Sequence, residues 1–274
     1  MLDVHRPNHH VSAYVGVRDR LRRTLALLAG LGVDRIDRGL SMQFAFIVGC
    51  GHSGTSLLAS RLGLHDEAWL VDGESYALVP IRSARRCRRE VQAWAAAAHA
   101  AGCKLVLEKT PKHVHSVARI RRLLPDARFI VTARHPLENI ASMRKRYSSL
   151  PLAIERWILD AGATAELMES GVAVLIRFEE LTRAPEATLR RATASLGLAW
   201  DPAILADGRT AYREARNLMS ERRAQVTQPI SDRGSRWREH LSDADATKVI
   251  ECTRAIAARL GYLDYDLSST SSQA

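Results

Sequence analysis

The segment over residues 43–62 constrains the fold more than any other part of the sequence. It reads QFAFIVG, then CGHSG, then TSLLASRL, so an apolar run passes through a glycine-containing turn into a segment with helical character. A buried strand followed by a tight turn and a helix is the building unit of parallel sheets. The same order is the layout of a phosphate-binding loop, whose pattern is G-x-x-x-x-G-K-[ST].

The turn keeps most of that pattern and departs from it at one position. Gly49 and Gly54 have the required spacing and Ser56 is in place, but Thr55 stands where the pattern has lysine. Backbone N–H groups at a helix N-terminus bind an anion without a lysine. We therefore predict an anion site here, with an ordinary strand–helix turn as the alternative. The side chains that could donate to the anion are His52, Ser53, Thr55 and Ser56.

Short apolar strands alternate with helical segments along most of the chain. The predicted strands cover 43–49, 68–71, 104–109, 127–133 and 171–178. The predicted helices begin at Gly54 and continue with 83–102, 112–124, 136–147, 153–170, 184–198 and 243–262. This alternation predicts an α/β fold with a mostly parallel central sheet and helices on both faces.

We expect a single domain over residues 41–265, because no linker or internal repeat interrupts the alternation. Residues 1–40 are predicted to be an extension in which 18–32 is a basic amphipathic helix. Packing on the domain edge and peripheral contact with a membrane both fit that helix. The tail over 266–274 is rich in serine and is predicted to be disordered.

Composition favours an anionic partner. The net charge is +10, which suits a nucleotide, a nucleic acid, a sulfated or phosphorylated substrate or a membrane surface, and equally a solvated arginine-rich surface. The four cysteines form no C-x-x-C pair and the histidines form no H-E-x-x-H, so we expect no metal site. Free thiols and the lack of a signal-peptide pattern or a long apolar run predict a cytoplasmic protein.

A second anion site is predicted after the strand over 127–133. Arg134 stands at the end of that strand, Pro136 suits the first turn of a helix, and Ser142 follows in that helix. Ligands of open parallel sheets bind at the carboxyl ends of the strands. Both predicted sites would therefore lie at one edge of the sheet, where a single ligand with two separate phosphate groups could occupy them.

At this point the sequence resembles the sulfotransferases that use 3′-phosphoadenosine 5′-phosphosulfate (PAPS). HSGTSLL is similar to the family's [KR]-S-G-T-[TS]-x-[LW], and Arg134 with Ser142 keeps the family's R-x(7)-S. The resemblance implies PAPS as co-substrate and no metal. It implies that Arg134 and Ser142 hold the 3′-phosphate, and that the 5′-phosphosulfate is held by Gly51, His52, Ser53, Gly54, Thr55 and Ser56.

Three further segments resemble the same family, so the match runs in order from about 43 to 262. LEKTPKH (107–113) is similar to segments of the heparan-type and tyrosylprotein branches, and the sequence as a whole resembles these branches and related bacterial sulfotransferases in its motifs. LIRFEELTRAPEATLRRATASLGL (175–198) is similar to a strand and helix of the family. DRGSRWREHLS (232–242) is similar to its C-terminal cofactor loop, which implies that the cofactor is also bound by Arg233, Gly234, Ser235 and Arg236.

The resemblance also implies catalytic roles. Lys109 matches the lysine that contacts the leaving group. His52 stands where the family has Lys or Arg, so a titratable imidazole replaces the usual fixed positive charge there. Glu74 is predicted to be the general base that takes the acceptor's proton. His113 and then Asp72 are the alternative bases.

Two other functions fit parts of the sequence. A kinase or NTPase with a phosphate loop is the alternative enzyme, but it requires lysine at 55 and a strand-end aspartate for magnesium. A basic nucleic-acid-binding protein is the alternative class, yet no such motif occurs and aromatic residues are only 5%. We expect no nucleic-acid partner. A small molecule, a glycan, a lipid headgroup and a peptide tyrosine all stay open as acceptor. The recognition of adenine and the oligomeric state stay open as well.

Overall fold

The computed structural model describes residues 42–213, 226–232 and 234–262. Three predictions lie outside these residues: the amphipathic helix in the extension over 1–40, the tail over 266–274, and the role of Arg233. Among the residues described, no helix has the length and apolarity to cross a bilayer.

The described residues form a five-stranded parallel sheet. Its strands are β1 (Gln43–Gly49), β2 (Ala68–Leu70), β3 (Leu105–Lys109), β4 (Arg128–Ala133) and β5 (Val174–Arg177). The strand order is β2-β3-β1-β4-β5, and every neighbouring pair is parallel. The predicted fold class is thereby confirmed. Parallel strands need crossover connections, and helices supply them here.

The α-helices follow the predicted segments closely. In the described part of the chain they are α1 (Thr55–Leu62), α2 (Ala84–Ala100), α3 (Val117–Leu123), α4 (Pro136–Arg144), α5 (Leu150–Glu169), α6 (Phe178–Arg183), α7 (Pro185–Ser195) and α8 (Asp243–Arg259). Shorter 3₁₀ segments occur at Pro111–Ser116, Pro202–Leu205 and Trp237–Glu239.

The helix expected over 112–124 is wrong in its first part. Pro111–Ser116 is a 3₁₀ segment, and α3 begins only at Val117. The N–H of His113 donates to the carbonyl of Thr110, three residues earlier, and this bond tightens the turn. The strand expected over 171–178 is also shorter and covers only Val174–Arg177. The chain turns at Gly171 (φ 68°), and a helix that was not predicted, α6, starts at Phe178.

Strand β1 is buried on both faces, which explains its continuous apolar sequence. Phe44, Phe46 and Val48 belong to the apolar cluster that includes α2 and α3, while Ala45 and Ile47 belong to the cluster that includes α1 and α7. Burial of each large apolar side chain contributes roughly 1.5–3 kcal/mol. A third cluster joins α4, α5 and α8 and includes Cys50 and Ala133 at the carboxyl ends of β1 and β4.

The chain reverses its direction of winding at β1. Strands β3 and β2 lie on one side of it and β4 and β5 on the other. The carboxyl end of β1 is therefore the switch point at which open α/β sheets bind ligands. The predicted glycine-rich loop begins at this point, because β1 ends at Gly49.

Candidate active site

A cavity of about 710 Å³ opens at the carboxyl edge of the sheet. Most of the predicted loop lines it: Gly51, His52, Gly54, Thr55, Ser56 and Leu57. The other predicted site residues in its wall are Glu74, Arg134, Ser142, Gly234 and Arg236. Ser53, Lys109 and Ser235 are not part of this lining. The structure thus brings residues of both predicted anion sites and the predicted base Glu74 to one cavity.

The loop after β1 depends on glycine at its first position. Gly49 has φ 130°, and a Cβ there would lie 2.6 Å from the carbonyl oxygen of Thr132 in β4. Ser53 is buried, and its hydroxyl bonds the carbonyl of Cys50 at 2.5 Å and the Thr132 hydroxyl at 2.6 Å. The family resemblance implies a cofactor contact for Ser53, but its hydroxyl instead fixes the loop against β4.

The N-terminus of α1 is prepared for an anion. Gly54 precedes the helix with φ 85°, and no side chain of the described residues caps its first turn. No acidic residue occurs in that turn, in which Thr55 and Ser56 line the cavity. Uncapped N–H groups at a helix N-terminus carry a positive partial charge. A Cβ at Gly54 would lie 2.4 Å from the Phe178 ring, so the loop also packs closely on α6.

Helix α4 joins the first predicted anion site to the second. His52 Nδ1 lies 3.1 Å from Ser142 Oγ, within hydrogen-bond distance. The Asn139 side chain donates from Nδ2 to the carbonyl of Gly51 at 3.2 Å and accepts from the Cys50 thiol at 3.2 Å. The sequence motifs do not include Asn139 as a site residue, although it lies one turn before Ser142 on the same helix.

Arg134 has a donor available for a ligand. Its Nη2 donates to Glu138 Oε2 at 3.1 Å, and its guanidinium lies 4.6 Å from the centre of the Phe178 ring. Its Nε is buried and makes no hydrogen bond to any described residue. A buried donor without a partner is costly, so an incoming anion would relieve that cost.

Glu138 connects Arg134 to the predicted C-terminal loop. While Oε2 accepts from Arg134, Oε1 accepts from Ser235 Oγ at 3.0 Å, Arg236 N at 2.7 Å and Trp237 N at 3.0 Å. The Ser235 hydroxyl is therefore used by Glu138, while Gly234 and Arg236 line the cavity. Trp237 is buried in the third apolar cluster, where it acts as a packing residue.

Glu74 and Lys109 form an ion pair at the cavity wall. Lys109 is fully buried, and its Nζ donates to Glu74 Oε1 at 2.9 Å. The Tyr76 hydroxyl donates to Glu74 Oε2 at 2.6 Å. Burial and the nearby Glu74 carboxylate raise the pKa of Tyr76, so this phenol stays protonated as a donor. Both oxygens of Glu74 are thus held while its side chain stays partly exposed to the cavity.

A buried carboxylate supports the turn that carries Glu74. Glu108 accepts from Ser75 Oγ at 2.7 Å and from Thr110 Oγ1 at 2.6 Å, and its other oxygen lies 2.9 Å from His113 Nδ1. Burial acts to raise the pKa of Glu108, but His113 and the two hydroxyls hold it below its usual value. Because the Leu78 N–H donates to His113 Nε2, the His113 proton lies on Nδ1 and faces Glu108.

Neither alternative base lines the cavity. His113 is fully buried between Glu108 and the Leu78 N–H, and Asp72 also lies outside the lining. Among the described residues, one group could approach a metal ion: His65, Asp66 and Asp201. His65 is not available to it, because Nδ1 accepts from Glu67 N and Nε2 bonds the carbonyl of Ala199.

Comparison with known proteins gives a family model that matches part of the chain and solved structures that share its fold. Residues 89–202 match the model of a family described as the sulfotransferase family, a segment that includes Lys109, Arg134 and Ser142. The sulfotransferase domain of the Synechococcus PCC 7002 olefin synthase is similar over 82% of this chain and 98% of its own, with 18% identity and a TM-score of 0.56.

Two further solved structures share the fold. Mouse sulfotransferase SULT7A1, crystallised in complex with PAP, matches with a TM-score of 0.56 and 14% identity, over 90% of this chain and 96% of its own. A sulfotransferase from Alicyclobacillus acidocaldarius matches with a TM-score of 0.51 and 18% identity, over 84% of this chain and 99% of its own.

Proposed function

We propose that this chain, a sulfotransferase by the family model that matches residues 89–202, transfers a sulfuryl group from PAPS to a hydroxyl or amine of an acceptor. The prediction of a sulfotransferase is confirmed at the level of family and fold. One observation carries the proposed donor: the two predicted anion sites meet at one cavity, where His52 lies 3.1 Å from Ser142.

The residues present fit a ligand with two phosphate groups. We assign the 5′-phosphosulfate to the loop over 51–56 and the N-terminus of α1, where no acidic side chain competes. We assign the 3′-phosphate to Arg134 and Ser142, because the buried Arg134 Nε makes no hydrogen bond to a described residue. We also assign Gly234 and Arg236 of the C-terminal loop to the same ligand, because both line the cavity.

PAPS supplies a sulfur that is open to in-line attack, with adenosine 3′,5′-bisphosphate as the leaving group. We propose that Glu74 accepts the proton of the acceptor hydroxyl as the oxygen–sulfur bond forms and the bond from sulfur to the 5′-phosphate breaks. Its position in the cavity wall supports this role. Tyr76 holds one Glu74 oxygen and fixes the direction of the carboxylate.

Lys109 and His52 are proposed to stabilise the leaving oxygen. Lys109 ends β3 beside Ile47 of β1, close to the start of the loop, and its ammonium also orients Glu74. His52 supplies an imidazole from within the loop, where the family has a permanent cation. We expect Lys109 to provide the larger share of the positive charge, because its ammonium is a permanent cation whereas the His52 imidazole is titratable. Donors aimed at a developing negative charge usually contribute most to such transfers.

Ligand-dependent stability tests the proposed donor. Adenosine 3′,5′-bisphosphate at about 100 times its Kd should raise the melting temperature by roughly 5–10 °C, because binding at this excess adds about 2.7 kcal/mol of stability. ATP with magnesium should raise it much less, since Thr55 replaces the lysine that holds a γ-phosphate. Equal stabilisation by the two nucleotides, or none by the bisphosphate, would refute the proposal.

The remaining proposals concern location and partners. We propose a cytoplasmic enzyme without a nucleic-acid partner, and the four free cysteines, Cys50, Cys87, Cys103 and Cys252, support a reducing compartment. The proposed acceptor is a small molecule, a glycan or a lipid headgroup. Peripheral membrane contact through the basic segment 18–32 belongs to the proposal as well, and fractionation of cells that express the full chain tests it.

A further inference from the structure

We propose that Arg156, Lys112 and Arg146 form an anion subsite that recognises a carboxylate, sulfate or phosphate group on the acceptor. We call these three residues the acceptor-side cluster. The inference rests on the proposed function and deepens it, because it specifies the chemistry of the acceptor. All three residues line the cavity and none belongs to the predicted donor site.

Arg156 carries the first part of the argument. It lies on α5 with only 6% of its surface exposed, and its Nε donates to Asp160 Oδ2 at 2.6 Å. Its Nη1 is buried and makes no hydrogen bond to any residue that the structure describes. A buried guanidinium N–H in a cavity wall without a protein partner is a donor available to a ligand.

The charge balance around Arg156 favours an anion. The fully buried Asp160 carboxylate lies 2.6 Å from Arg156 Nε, 3.5 Å from Lys112 Nζ and 2.6 Å from His115 Nε2. Asp160 thus lies close to two permanent cations, and lysine and arginine outnumber aspartate and glutamate in the lining of the cavity. Arg146 adds another cation from the segment after α4. A planar guanidinium beside an ammonium matches the oxygens of an oxyanion.

The cluster lies on the side of the cavity where the proposed base is found. Arg146 and Arg156 line the same cavity as Tyr76 and Glu74. Their charges act to lower the pKa of Tyr76, which burial and Glu74 raise. Tyr76 in turn donates to Glu74. The Glu74 carboxylate is itself paired with Lys109. An acceptor with an anionic group near its hydroxyl would contact the acceptor-side cluster through the anionic group and Glu74 through the hydroxyl.

Sulfate binding to the complex with adenosine 3′,5′-bisphosphate tests the subsite by calorimetry. The bisphosphate fills the donor phosphate sites, so any added sulfate that binds must occupy another part of the cavity. Arg156→Gln should weaken sulfate binding by about 10- to 100-fold, which is the usual worth of a charged hydrogen bond. Arg254→Gln, an exposed position on α8, is the matched control and should change nothing.

Lys112→Gln is a second test in case the Arg156 variant does not fold, because this substitution leaves the Arg156–Asp160 pair intact. It should weaken sulfate binding while the melting temperature and bisphosphate affinity stay unchanged. Phosphate and acetate titrations then rank the preferred oxyanion. Equal sulfate binding by wild type, Arg156→Gln and Lys112→Gln, or no saturable binding by wild type, overturns the subsite. Absence of bisphosphate binding would instead refute the proposed donor, so the two failures are distinguishable.

Discussion

Glu74 differs from the other candidate bases in its surroundings. It lines the cavity and accepts hydrogen bonds from Lys109 Nζ at 2.9 Å and from the Tyr76 hydroxyl at 2.6 Å. His113, by contrast, is fully buried, and both of its ring nitrogens have partners. A general base must reach the proton that it removes. The geometry therefore favours Glu74 over His113.

We predict that Glu74→Gln lowers the rate of bisphosphate release from PAPS by roughly 10²–10⁴-fold, the usual worth of a positioned base. Glutamine keeps the shape of the side chain but cannot take up the proton. Chromatography of the released nucleotide measures the rate with water or an added hydroxyl compound as acceptor. Bisphosphate affinity should not change, and Tyr76→Phe should cause a smaller loss. A near-normal rate in Glu74→Gln would show that Glu74 is not the base.

Arg134 is predicted to bind the 3′-phosphate of the cofactor. Arg134→Ala should weaken the binding of adenosine 3′,5′-bisphosphate by about 10- to 100-fold, because it removes a charged hydrogen bond to phosphate. Affinity for adenosine 5′-monophosphate should fall much less, since that ligand has no 3′-phosphate. Calorimetric titration of both nucleotides measures the difference. A parallel loss for both ligands would show that Arg134 acts elsewhere.

At the scale of elements, the loop after β1 is shaped by its contacts with β4 and α4. The Ser53 hydroxyl bonds Thr132, and Asn139 holds the carbonyl of Gly51. Gly49 passes so close to β4 that a Cβ would lie 2.6 Å from the Thr132 carbonyl oxygen and 2.8 Å from its nitrogen. The anion site thus depends on the pairing of two strands as well as on the loop itself.

Gly49→Ala should lower the free energy of unfolding by at least about 1–3 kcal/mol, the cost of one strained backbone conformation. The clash is with backbone atoms of Thr132, which cannot move without disturbing the pairing of β1 with β4. Gly51→Ala is the control in the same loop, because a Cβ there meets nothing within 4 Å. Urea denaturation of both variants gives the comparison, and similar losses would contradict the argument.

At the scale of the whole molecule, the strand–helix alternation was sufficient to predict the parallel sheet. The motif spacing likewise predicted which residues meet: Arg134 and Ser142 reach the same cavity as Thr55. Motif spacing could not predict the role of Glu138. Its partners Ser235, Arg236 and Trp237 are distant in sequence, and only the fold brings them together.

The sequence also could not predict which serine hydroxyls face the cavity and which bond to the protein. Ser53 and Ser142 are both serines in predicted binding motifs, yet the first is turned towards Thr132 and the second lines the cavity. Arg156 carries no motif, and its significance depends on burial next to Asp160. Local patterns predict elements, whereas the direction of a side chain depends on neighbours that the sequence does not place.

Global stability should fall in mildly acidic solution because of His135. Burial, with a smaller contribution from Arg134, lowers its pKa from 6.5 to about 4, although Glu138 acts in the opposite direction. As the pH falls below about 6.5, the unfolded chain binds a proton that the folded chain does not, so the free energy of unfolding decreases until the pH reaches about 4. The full loss is about 3 kcal/mol.

We predict that His135→Gln removes this part of the pH dependence, because glutamine does not titrate. Urea denaturation across the interval from pH 6.5 to about 4 measures the slope for wild type and variant. His99→Gln, at an exposed position on α2, is the matched control and should keep the wild-type slope. The His135 ring packs against Tyr262, with ring centres 5.7 Å apart, and loss of this contact lowers the stability of the variant equally at every pH. The test is therefore the slope of the unfolding free energy against pH, and not its absolute value. An unchanged slope in His135→Gln would assign the acid sensitivity to other groups.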